Sequence, residues 1–395
     1  MVLKMNKILI VGGTGVISYA VVNEALKQHI DVTCINRGRS KNQKLSGNAH
    51  LIIADYHDKN LMKNKLEGLH FDAVIDVLCY SEKDIEYSVN LFKDCVDQYV
   101  FFSSCAVYNK GNGDYVCTEE SPLINPIWDY SINKVKCEER LKELASSCKL
   151  NYTIVRPAVT YGDTRIPYGI TPPYGYHGTL IQRILNDKPI ITWDKGEAYS
   201  TITRVEDFAI GLVGLLGNSR AYNQVYHIVG DERWQWKEVL STIGDILGKK
   251  VSTFDLSKEQ YASELPSRKG EILGGRGISQ LLDNSKIKNA VPDFCTKISL
   301  KEGLMQTIDY YKMHNYIRGI DFSFDAETDR IIRKWCKIKK IDYKQYNLGF
   351  VDYLGNASFA DKYNYWLEFY KDKTLTRVFI KSLNLFRRLK SFIHN

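Results

Sequence analysis

The chain has 395 residues, with 54 Lys plus Arg, 46 Asp plus Glu and a formal net charge of +8. Residues 331–395 hold 14 basic and 5 acidic side chains, so the excess positive charge lies in this tail and the first 330 residues are nearly neutral. A nucleic-acid-binding body needs clustered Lys and Arg, so no nucleic acid partner is expected. Nine cysteines without a C-x-x-C pair, and histidines without ligand spacing, predict reduced thiols, a cytoplasmic location and no metal site.

The first half of the chain alternates short apolar runs with helical spacing, which predicts an α/β fold with a parallel sheet. In chain order we predict strand 7–11, helix 17–29, strands 31–35, 51–54 and 73–77, helix 81–92, strand 99–102, helix 130–147 and strand 152–155. A loop rich in Pro, Gly and Tyr follows, and further helices are predicted over 205–216, 236–247 and 303–312.

A glycine-rich turn follows the first predicted strand in the segment V-G-G-T-G-V-I-S. Small residues at such a turn let backbone N–H groups and the helix N-terminus approach a pyrophosphate, and Ser18 stands where a third glycine is often found. Because the turn lies inside a strand–helix–strand unit, a dinucleotide site is favoured over an ordinary turn. The predicted phosphate-binding residues are Gly12, Thr14, Gly15, Val16 and Ile17.

The end of the second strand predicts which dinucleotide binds. NAD-binding proteins usually place Asp or Glu there for the ribose 2′-hydroxyl, whereas Arg suits a 2′-phosphate. This chain has Asn36, Arg37, Gly38 and Arg39, so NADP(H) is favoured and NAD(H) is the alternative. A solvated basic loop is the other interpretation.

Tyr130 and Lys134 stand four residues apart on a predicted helix, so their side chains share one face. The pair follows the fifth strand, and the segment F-F-S-S-C-A-V-Y places Ser103 and Ser104 at the carboxyl end of that strand. Ligands of open α/β sheets bind at the carboxyl ends of the strands, so this position favours a catalytic pair over a surface pair.

In these motifs the chain resembles the extended short-chain dehydrogenase/reductase family of NAD(P)-dependent sugar-nucleotide epimerases, dehydratases and reductases. The resemblance spans residues 7–312 and rests on VGGTGVIS, FFSSCAVY, YSINK, VRPAVTYG and RVEDFA. It implies that Tyr130 is the general acid/base, that Lys134 lowers its pKa and holds the cofactor ribose, and that Ser104 hydrogen-bonds the reacting oxygen. It further implies cofactor contacts from Asp55, Leu78, Cys79, Ser103, Pro157 and Val159.

The resemblance implies less about the substrate. Cys105 and Ala106 stand where dehydratases carry an acidic pair, so dehydration is not expected. Arg204 and Arg268 are candidates for binding the diphosphate of a nucleotide sugar, with plain surface charge as the alternative. We predict an NADPH-dependent 4-ketoreductase of a keto-sugar nucleotide for surface polysaccharide synthesis. The alternatives are an NAD-dependent sugar-nucleotide 4-epimerase and a non-catalytic nucleotide-binding or regulatory protein recruited by its basic tail.

The expected organisation is a Rossmann-type doubly wound sheet over 1–165 with parts of 195–230, a smaller substrate lobe over 166–315 and a helical basic extension over 316–395. Residues 375–395 gather apolar and basic side chains on opposite sides of a helical wheel. This is typical of a helix on an anionic membrane surface, which would hold the protein at the inner face of the membrane. Docking on the protein itself or on a second subunit is the favoured interpretation of this segment, ahead of membrane contact and of nucleic-acid binding by the tail, and we expect a homodimer.

Overall fold

The computed structural model describes residues 5–38, 45, 47–108, 116–123, 125–173, 176–315, 319–355, 357–379 and 382. Arg39 and most of the predicted tail helix lie outside these residues.

The strands of the described residues are β1 (Lys7–Val11), β2 (Asp31–Asn36), β3 (His50–Ile53), β4 (Phe71–Asp76), β5 (Val96–Phe102), β6 (Val116–Cys117), β7 (Asn151–Val155), β8 (Val159–Tyr161), β9 (Ile190–Trp193), β10 (Tyr199–Arg204), β11 (Gln224–Tyr226), β12 (Arg233–Gln235), β13 (Thr253–Leu256) and β14 (Leu281–Leu282). The helices are α1 (Val16–Lys27), α2 (Lys59–Leu66), α3 (Glu82–Phe92), α4 (Asp129–Cys148), α5 (Gly178–Leu185), α6 (Val205–Leu215), α7 (Trp236–Leu247), α8 (Lys258–Glu264), α9 (Ser285–Ala290), α10 (Leu300–Met313), α11 (Phe322–Lys339), α12 (Asp352–Gly355) and α13 (Phe359–Phe369).

Seven strands form a central parallel sheet with the order β11-β7-β5-β4-β1-β2-β3. The strand order reverses between β1 and β4, so the chain winds outward in both directions from this point. The predicted α/β doubly wound fold is therefore confirmed. In such sheets the crevice beyond the strand ends at the reversal point is where ligands bind.

The sheet has an apolar layer on each face because its inner strands are apolar on both sides. Ile8 and Ile10 of β1 pack in one cluster with residues of α1 and α6. Leu9 and Val11 of the same strand face the other way and pack with residues of α3 and α4. This accounts for the continuous apolar run of β1, which is typical of a parallel strand buried on both faces.

The helix α2 was not predicted, and several element ends differ from the predicted ones by a few residues. Its sequence K-N-L-M-K-N-K-L buries only Met62 and Leu66, which gives a weak apolar pattern. The start of the helix is set instead by Asp58, whose carboxylate accepts a hydrogen bond from the backbone N–H of Leu61 at 3.0 Å. No helix among the described residues is long and apolar enough to cross a membrane.

The chain divides into two compact units. The first consists of Met1–Gly169, Gly196–Val239 and Lys258–Thr307, and contains the seven-stranded sheet. The second consists of Ile170–Lys195, Leu240–Ser257 and Ile308–Asn395. The predicted lobe over 166–315 is thus shared between the two units, and the predicted three-part division stays a prediction.

Helices of the predicted C-terminal extension are integral to the second unit. An apolar cluster joins Phe322 and Ala326 of α11 to Leu354 of α12 and to Tyr365 and Phe369 of α13. The extension is therefore helical, as predicted, and it has a packed core of its own over α11–α13.

A buried ionic cluster fastens α11 to the α5–β9 segment within the second unit. Arg183 lies 2.5 Å from Asp325 and 2.9 Å from Asp329, and Lys188 lies 2.8 Å from Asp325 and 2.6 Å from Asp329. The four side chains are at most 2% exposed, and Tyr353 donates a further hydrogen bond to Asp325 at 2.7 Å. Two cations facing two carboxylates leave no net charge in this buried site.

Candidate active site

The glycine turn after β1 is close-packed on both sides. Gly12 has a φ of +88°, and a Cβ there would lie 2.9 Å from Val77 Cγ2. A Cβ on Gly13 would lie 2.6 Å from the sulfur of Cys34. The turn therefore requires glycine for its backbone angle at one position and for space at both.

Ser18 closes this turn by hydrogen bonding. Its hydroxyl donates to the carbonyl oxygen of Gly12 at 2.6 Å and accepts from the backbone N–H of Gly15 at 3.0 Å. The sequence predicted only that Ser18 is small enough for the close approach. Gly15 precedes the first residue of α1, so the predicted phosphate contacts Val16 and Ile17 lie in the first turn of this helix, where backbone N–H groups lack helical partners.

Two buried polar groups at the strand ends fit a bound dinucleotide. Asn36 ends β2, and its Nδ2 is buried without a hydrogen-bond partner among the described residues, 3.6 Å from the position of a Cβ on Gly13. Ser103 follows β5, and its hydroxyl is likewise buried and unpartnered within the described part of the chain. Buried polar groups are nearly always hydrogen-bonded, so both suit a polar ligand. Asn36 was not predicted as a contact, although its place at the end of β2 marks it.

Other predicted cofactor residues lie at or near the ends of strands in the first unit, with Val159 in a different sheet from β2 and β5. Arg37 directly follows β2 and is exposed. Asp55 follows β3, is exposed, and accepts a hydrogen bond from the N–H of His57 at 3.1 Å. Leu78 follows β4 half-buried, and Val159 begins β8 as a buried residue. Pro157 accepts a hydrogen bond from the N–H of Cys105 at 3.0 Å.

Tyr130 and Lys134 lie in the first two turns of α4, as predicted. Lys134 is 2% exposed, and its amine donates to the carbonyl oxygens of Cys79 at 2.6 Å and Phe102 at 2.7 Å. These carbonyls lie at the ends of two neighbouring strands, and an ammonium group has a third N–H to offer. The amine nitrogen is 5.9 Å from the centroid of the Tyr130 ring. Burial is the largest influence on the pKa of Lys134 and lowers it, while nearby thiol and carboxyl groups oppose this.

Ser104 lies directly after Ser103 and caps a short turn. Its hydroxyl oxygen accepts a hydrogen bond from the backbone N–H of Ala106 at 3.1 Å. The thiol of Cys105 donates to the carbonyl oxygen of Arg156 at 2.8 Å. Both Cys105 and Ala106 are buried, so no carboxylate stands beside Ser104 in this segment.

A buried carboxylate supports the turn that holds Lys134. Asp76 ends β4 and is fully buried, and it accepts hydrogen bonds from the N–H of Leu78 at 2.8 Å and the thiol of Cys79 at 3.2 Å. The hydroxyls of Tyr56, Ser88 and Tyr99 also donate to it, at 3.0, 2.6 and 3.2 Å. Burial and the Asp76 charge raise the pKa of Tyr99 well above its usual value, so this phenol stays a donor. Asp76 was not predicted as a site residue, since its only signal in the sequence is an acidic residue at the end of an apolar strand.

A second buried network fixes α4 one turn beyond Lys134. Arg156 donates to both oxygens of Glu138, at 2.9 and 2.6 Å, and to the hydroxyl of Tyr108 at 2.7 Å. That hydroxyl shares a short hydrogen bond with Nε2 of His227. Burial lowers the pKa of His227 to about 4, so the ring is neutral at neutral pH. These partners are far apart in the chain and were not predicted.

The two predicted substrate arginines have different surroundings. Arg204 is 2% exposed and pairs with Asp163 at 2.5 Å and with Glu206 at 2.6 Å. Arg204 thus has two carboxylate partners within the protein, and its predicted phosphate contact stays a prediction. Arg268 is partly exposed and pairs with Glu271 at 2.8 Å, so it is more accessible to an anionic substrate.

The fold and these residues define a dinucleotide-binding enzyme with a tyrosine–lysine pair at the strand ends. Residues 8–228 match the NAD dependent epimerase/dehydratase family, and the chain belongs to this family. The predicted family resemblance and the predicted class, an NAD(P)-dependent enzyme of the extended short-chain type, are thereby confirmed. No group of three or more His, Cys, Asp or Glu among the described residues could hold a metal ion.

Three individual proteins illustrate the similarity. The chloroplast stem-loop binding protein of 41 kDa b from Arabidopsis thaliana is 28% identical over 239 residues, which are 58% of this chain and 59% of that protein. A putative UDP-glucose 4-epimerase from Methanocaldococcus jannaschii is 25% identical over 333 residues, which are 78% of this chain and 99% of that protein. The crystal structure of UDP-glucuronic acid 4-epimerase from Bacillus cereus, in complex with UDP-glucuronic acid and NAD, superposes with a TM-score of 0.63 at 20% identity. The superposition covers 78% of this chain and 99% of the epimerase chain, and it supports the fold.

Proposed function

We propose that this protein is a sugar-nucleotide epimerase that oxidises and then re-reduces one carbinol carbon of its substrate. The observation that carries the proposal is the placement of Lys134, anchored to two strand-end carbonyls and 5.9 Å from the Tyr130 ring. The names of two relatives, both 4-epimerases, favour this alternative over the ketoreductase that the sequence favoured.

Each residue of the site has a role in this reaction. The Tyr130 phenolate accepts the proton of the sugar hydroxyl, and Lys134 stabilises that phenolate because it places a positive charge beside the ring. Ser104 hydrogen-bonds the oxygen on which charge changes. A bound nicotinamide ring supplies the hydride acceptor. With that hydride returned to the opposite face of the carbonyl, Tyr130 would return the proton to the oxygen, and the configuration would be inverted without net oxidation or reduction.

NADP(H) as the preferred cofactor is also a proposal. Residues 36–39 offer no carboxylate to a ribose 2′-hydroxyl, and the exposed Arg37 can donate to a 2′-phosphate. The Nδ2 of Asn36, which has no hydrogen-bond partner in the described part of the chain, adds a donor at the same strand end. NAD is the alternative, as the NAD-dependent description of the family indicates. An NADPH-dependent ketoreductase in polysaccharide synthesis is therefore the second candidate function.

A substrate screen separates the two reactions. Purified protein is incubated with UDP-, dTDP- and GDP-sugars and their 4-keto forms, with NADPH or NADH, and products are read by mass spectrometry and chromatography. An epimerase gives an isomer of unchanged mass without net consumption of the reduced cofactor. A ketoreductase consumes one NADPH for each product two mass units heavier. If neither product forms, both functions are refuted.

Active-site variants connect the product to the proposed residues. Tyr130→Phe is expected to abolish turnover because the proton acceptor is lost, while Tyr343→Phe, at a tyrosine 47% exposed, serves as the matched control. Full turnover in Tyr130→Phe would contradict the catalytic assignment. The non-catalytic alternative predicts dinucleotide binding without product, and the stem-loop binding relative makes RNA the ligand to test in that case by mobility shift.

We further propose that the C-terminal tail binds an anionic membrane surface and that the protein forms a homodimer. Removal of residues 380–395 deletes four basic side chains and no acidic ones, and leaves α1–α13 in place. If the tail binds an anionic surface, the full chain sediments with phosphatidylglycerol vesicles more than the truncated chain does, and the difference shrinks at high salt. Equal sedimentation would refute recruitment by the tail. Light scattering tests the dimer.

A further inference from the structure

Two groups of opposite charge are buried beside Cys79, which contacts both of them. Asp76 is 0% exposed and Lys134 is 2% exposed. The thiol of Cys79 donates to Asp76 at 3.2 Å, while the backbone carbonyl oxygen of Cys79 accepts from the Lys134 amine at 2.6 Å. Among the described residues, neither charged group has an ion-pair partner in direct contact. A buried charge without such a partner is costly, so each group needs compensation from its wider surroundings.

The contacts of Asp76 are those of an ionised carboxylate. Leu78 donates to it through its backbone N–H at 2.8 Å, and the Cys79 thiol and three hydroxyl groups donate as well. An ionised carboxylate accepts hydrogen bonds at both oxygens and donates none, which matches this set of donors. Such hydrogen bonds offset part of the cost of burying a charge, and a nearby opposite charge offsets more of it.

The titratable groups that face Lys134 come from α4 and from the end of β4. They are Tyr130, Cys137 and Glu138 of α4, and Asp76, Cys79 and Tyr80 at the end of β4 and directly after it. The end of β5 adds two uncharged contacts, the Phe101 ring with its centroid 4.9 Å from the amine nitrogen and the Phe102 carbonyl oxygen at 2.7 Å. A counter-charge for Lys134 must therefore come from α4 or from the end of β4.

Two of these groups are poor counter-charges for Lys134. Glu138 is fully buried and is already paired through both of its oxygens with Arg156, at 2.9 and 2.6 Å. Tyr80 contacts the amine through its ring, whose centroid lies 4.6 Å from the nitrogen. The face of an aromatic ring attracts a cation without carrying a formal charge.

The two thiols are neutral and leave Asp76 as the counter-charge. Burial raises the pKa of Cys137 to about 11. Burial and the charge of Asp76 raise the pKa of Cys79 well above its usual value. Burial is also the largest influence on the pKa of Lys134 and lowers it, and the negative charge of Asp76 opposes this loss of the proton.

We propose that Asp76 is a positioning residue whose negative charge keeps the buried Lys134 amine protonated and in place. Asp76 acts in two ways. Its hydrogen bonds with Leu78 and Cys79 fix the turn that presents the Cys79 carbonyl to the amine, and its charge compensates the ammonium group across that turn. The consequence for catalysis rests on the proposed function, because there the protonated Lys134 stabilises the Tyr130 phenolate.

A spectroscopic titration measures the charge of Lys134 directly. In protein labelled with ¹³C at the lysine Cε atoms, the Lys134 signal is assigned by its absence in Lys134→Met and followed against pH. Asp76→Asn is expected to lower the pKa of Lys134 by about one unit or more. Ser88→Ala removes a hydrogen bond to Asp76 but leaves its charge, and Asp94→Asn neutralises an exposed acid; both are expected to shift this pKa by less than about 0.3 unit. A wild-type pKa of Lys134 in Asp76→Asn would overturn the proposal.

Urea unfolding tests the same pair even if Asp76→Asn folds poorly. The double variant Asp76→Asn/Lys134→Met removes both buried charges, so it is expected to unfold at a higher urea concentration than Asp76→Asn alone. Asp94→Asn/Lys134→Met, the matched control, is expected to unfold at the same urea concentration as Lys134→Met. A double variant of Asp76 and Lys134 that is no more stable than Asp76→Asn would show that the two charges do not compensate each other.

Turnover connects the charge pair to the proposed reaction. Asp76→Asn is expected to lower kcat about tenfold, because a deprotonated or displaced Lys134 no longer stabilises the phenolate. In the Lys134→Met background the same substitution is expected to lower kcat less than about twofold further, since Asp76 acts through Lys134. A further tenfold loss in that background would contradict the positioning role. The titration and the unfolding need no turnover, so if they give the expected results and no sugar is epimerised, the proposed function alone fails.

Discussion

Replacing Lys134 by methionine tests the electrostatic role of this residue at the proposed active site. The amine lies 5.9 Å from the Tyr130 ring. Two unit charges about 6 Å apart attract by about 3 kcal/mol at an effective dielectric constant of about 20, which corresponds to about two pKa units. The loss of this cation therefore raises the pKa of Tyr130 by about that amount.

The sign of the effect follows from the form of Tyr130 that reacts. Oxidation of the sugar needs the phenolate, so activity falls as the pH drops below the pKa of Tyr130. In Lys134→Met the acid limb of the profile of kcat/KM against pH is expected to shift upward by about two units. Measurements from pH 5 to pH 10 with the substrate found in the screen would show this shift.

A matched variant on the same helix controls for the loss of charge. Lys136 is exposed, and Lys136→Met is expected to leave the acid limb in place because solvent screens the charge. Lys134→Met also removes the donors to Cys79 and Phe102, so its thermal unfolding is measured alongside. A folded Lys134→Met protein whose acid limb stays within about half a unit of wild type would refute this reasoning.

Three other predictions address stability and the cofactor. Asp325→Asn is expected to destabilise the second unit by about 3–5 kcal/mol because buried Lys188 loses a counter-charge. Urea unfolding measures this change, and Asp309→Asn, at an exposed aspartate, is the control. Burial raises the pKa of Asp325, but the charges of Lys188 and Arg183 lower it by more and leave it below its usual value. The stabilisation of the folded state by the Asp325 carboxylate is therefore present above about pH 4 and is lost as the pH falls through the lowered pKa. Ser18→Ala should lower the unfolding free energy by about 1–2 kcal/mol and weaken dinucleotide binding, since two turn hydrogen bonds are lost; unchanged binding in titration calorimetry would contradict this. Arg37→Ala should weaken the binding of NADPH at least tenfold, measured by fluorescence titration, and should leave the binding of NADH almost unchanged. An equal loss of affinity for both dinucleotides would exclude a contact between Arg37 and the 2′-phosphate.

The sheet, the glycine turn and the Tyr130–Lys134 pair were predictable because each depends on local spacing. β1 was predicted with its observed ends since its apolar run and the following glycines lie in one segment. Lys134 was predicted because it stands four residues after Tyr130 in the sequence and because the pair follows β5. Such features need only the period of a strand or a helix and the rules of a turn.

The supports of the site were not predictable because their partners are distant in sequence. Asp76 accepts hydrogen bonds from the hydroxyls of Tyr56 and Tyr99, which lie on another loop and another strand. Only the folded sheet brings these three side chains together. Trp128 packs beside Gly270, although 142 positions separate the two residues in the sequence. The carboxylate of Asp163, which pairs with Arg204, likewise comes from a separate segment and was not predicted as its partner.

Some of the positive charge of the extension is used in contacts between its own helices. Arg330 pairs with Glu327, Glu368 and Asp372, at 3.5, 3.2 and 3.4 Å, so part of the charge is neutralised inside the second unit. Arg333 lies over the rings of Phe369 and Tyr370, where it packs α11 against α13. Basic residues of α11 therefore stabilise the packing of the second unit. A truncation at residue 331 would remove Arg333 and two of the three carboxylate partners of Arg330, Glu368 and Asp372. Residues 380–395, with four basic and no acidic side chains, are the segment whose charge is best suited to an acidic partner, and the test of membrane recruitment must be confined to them.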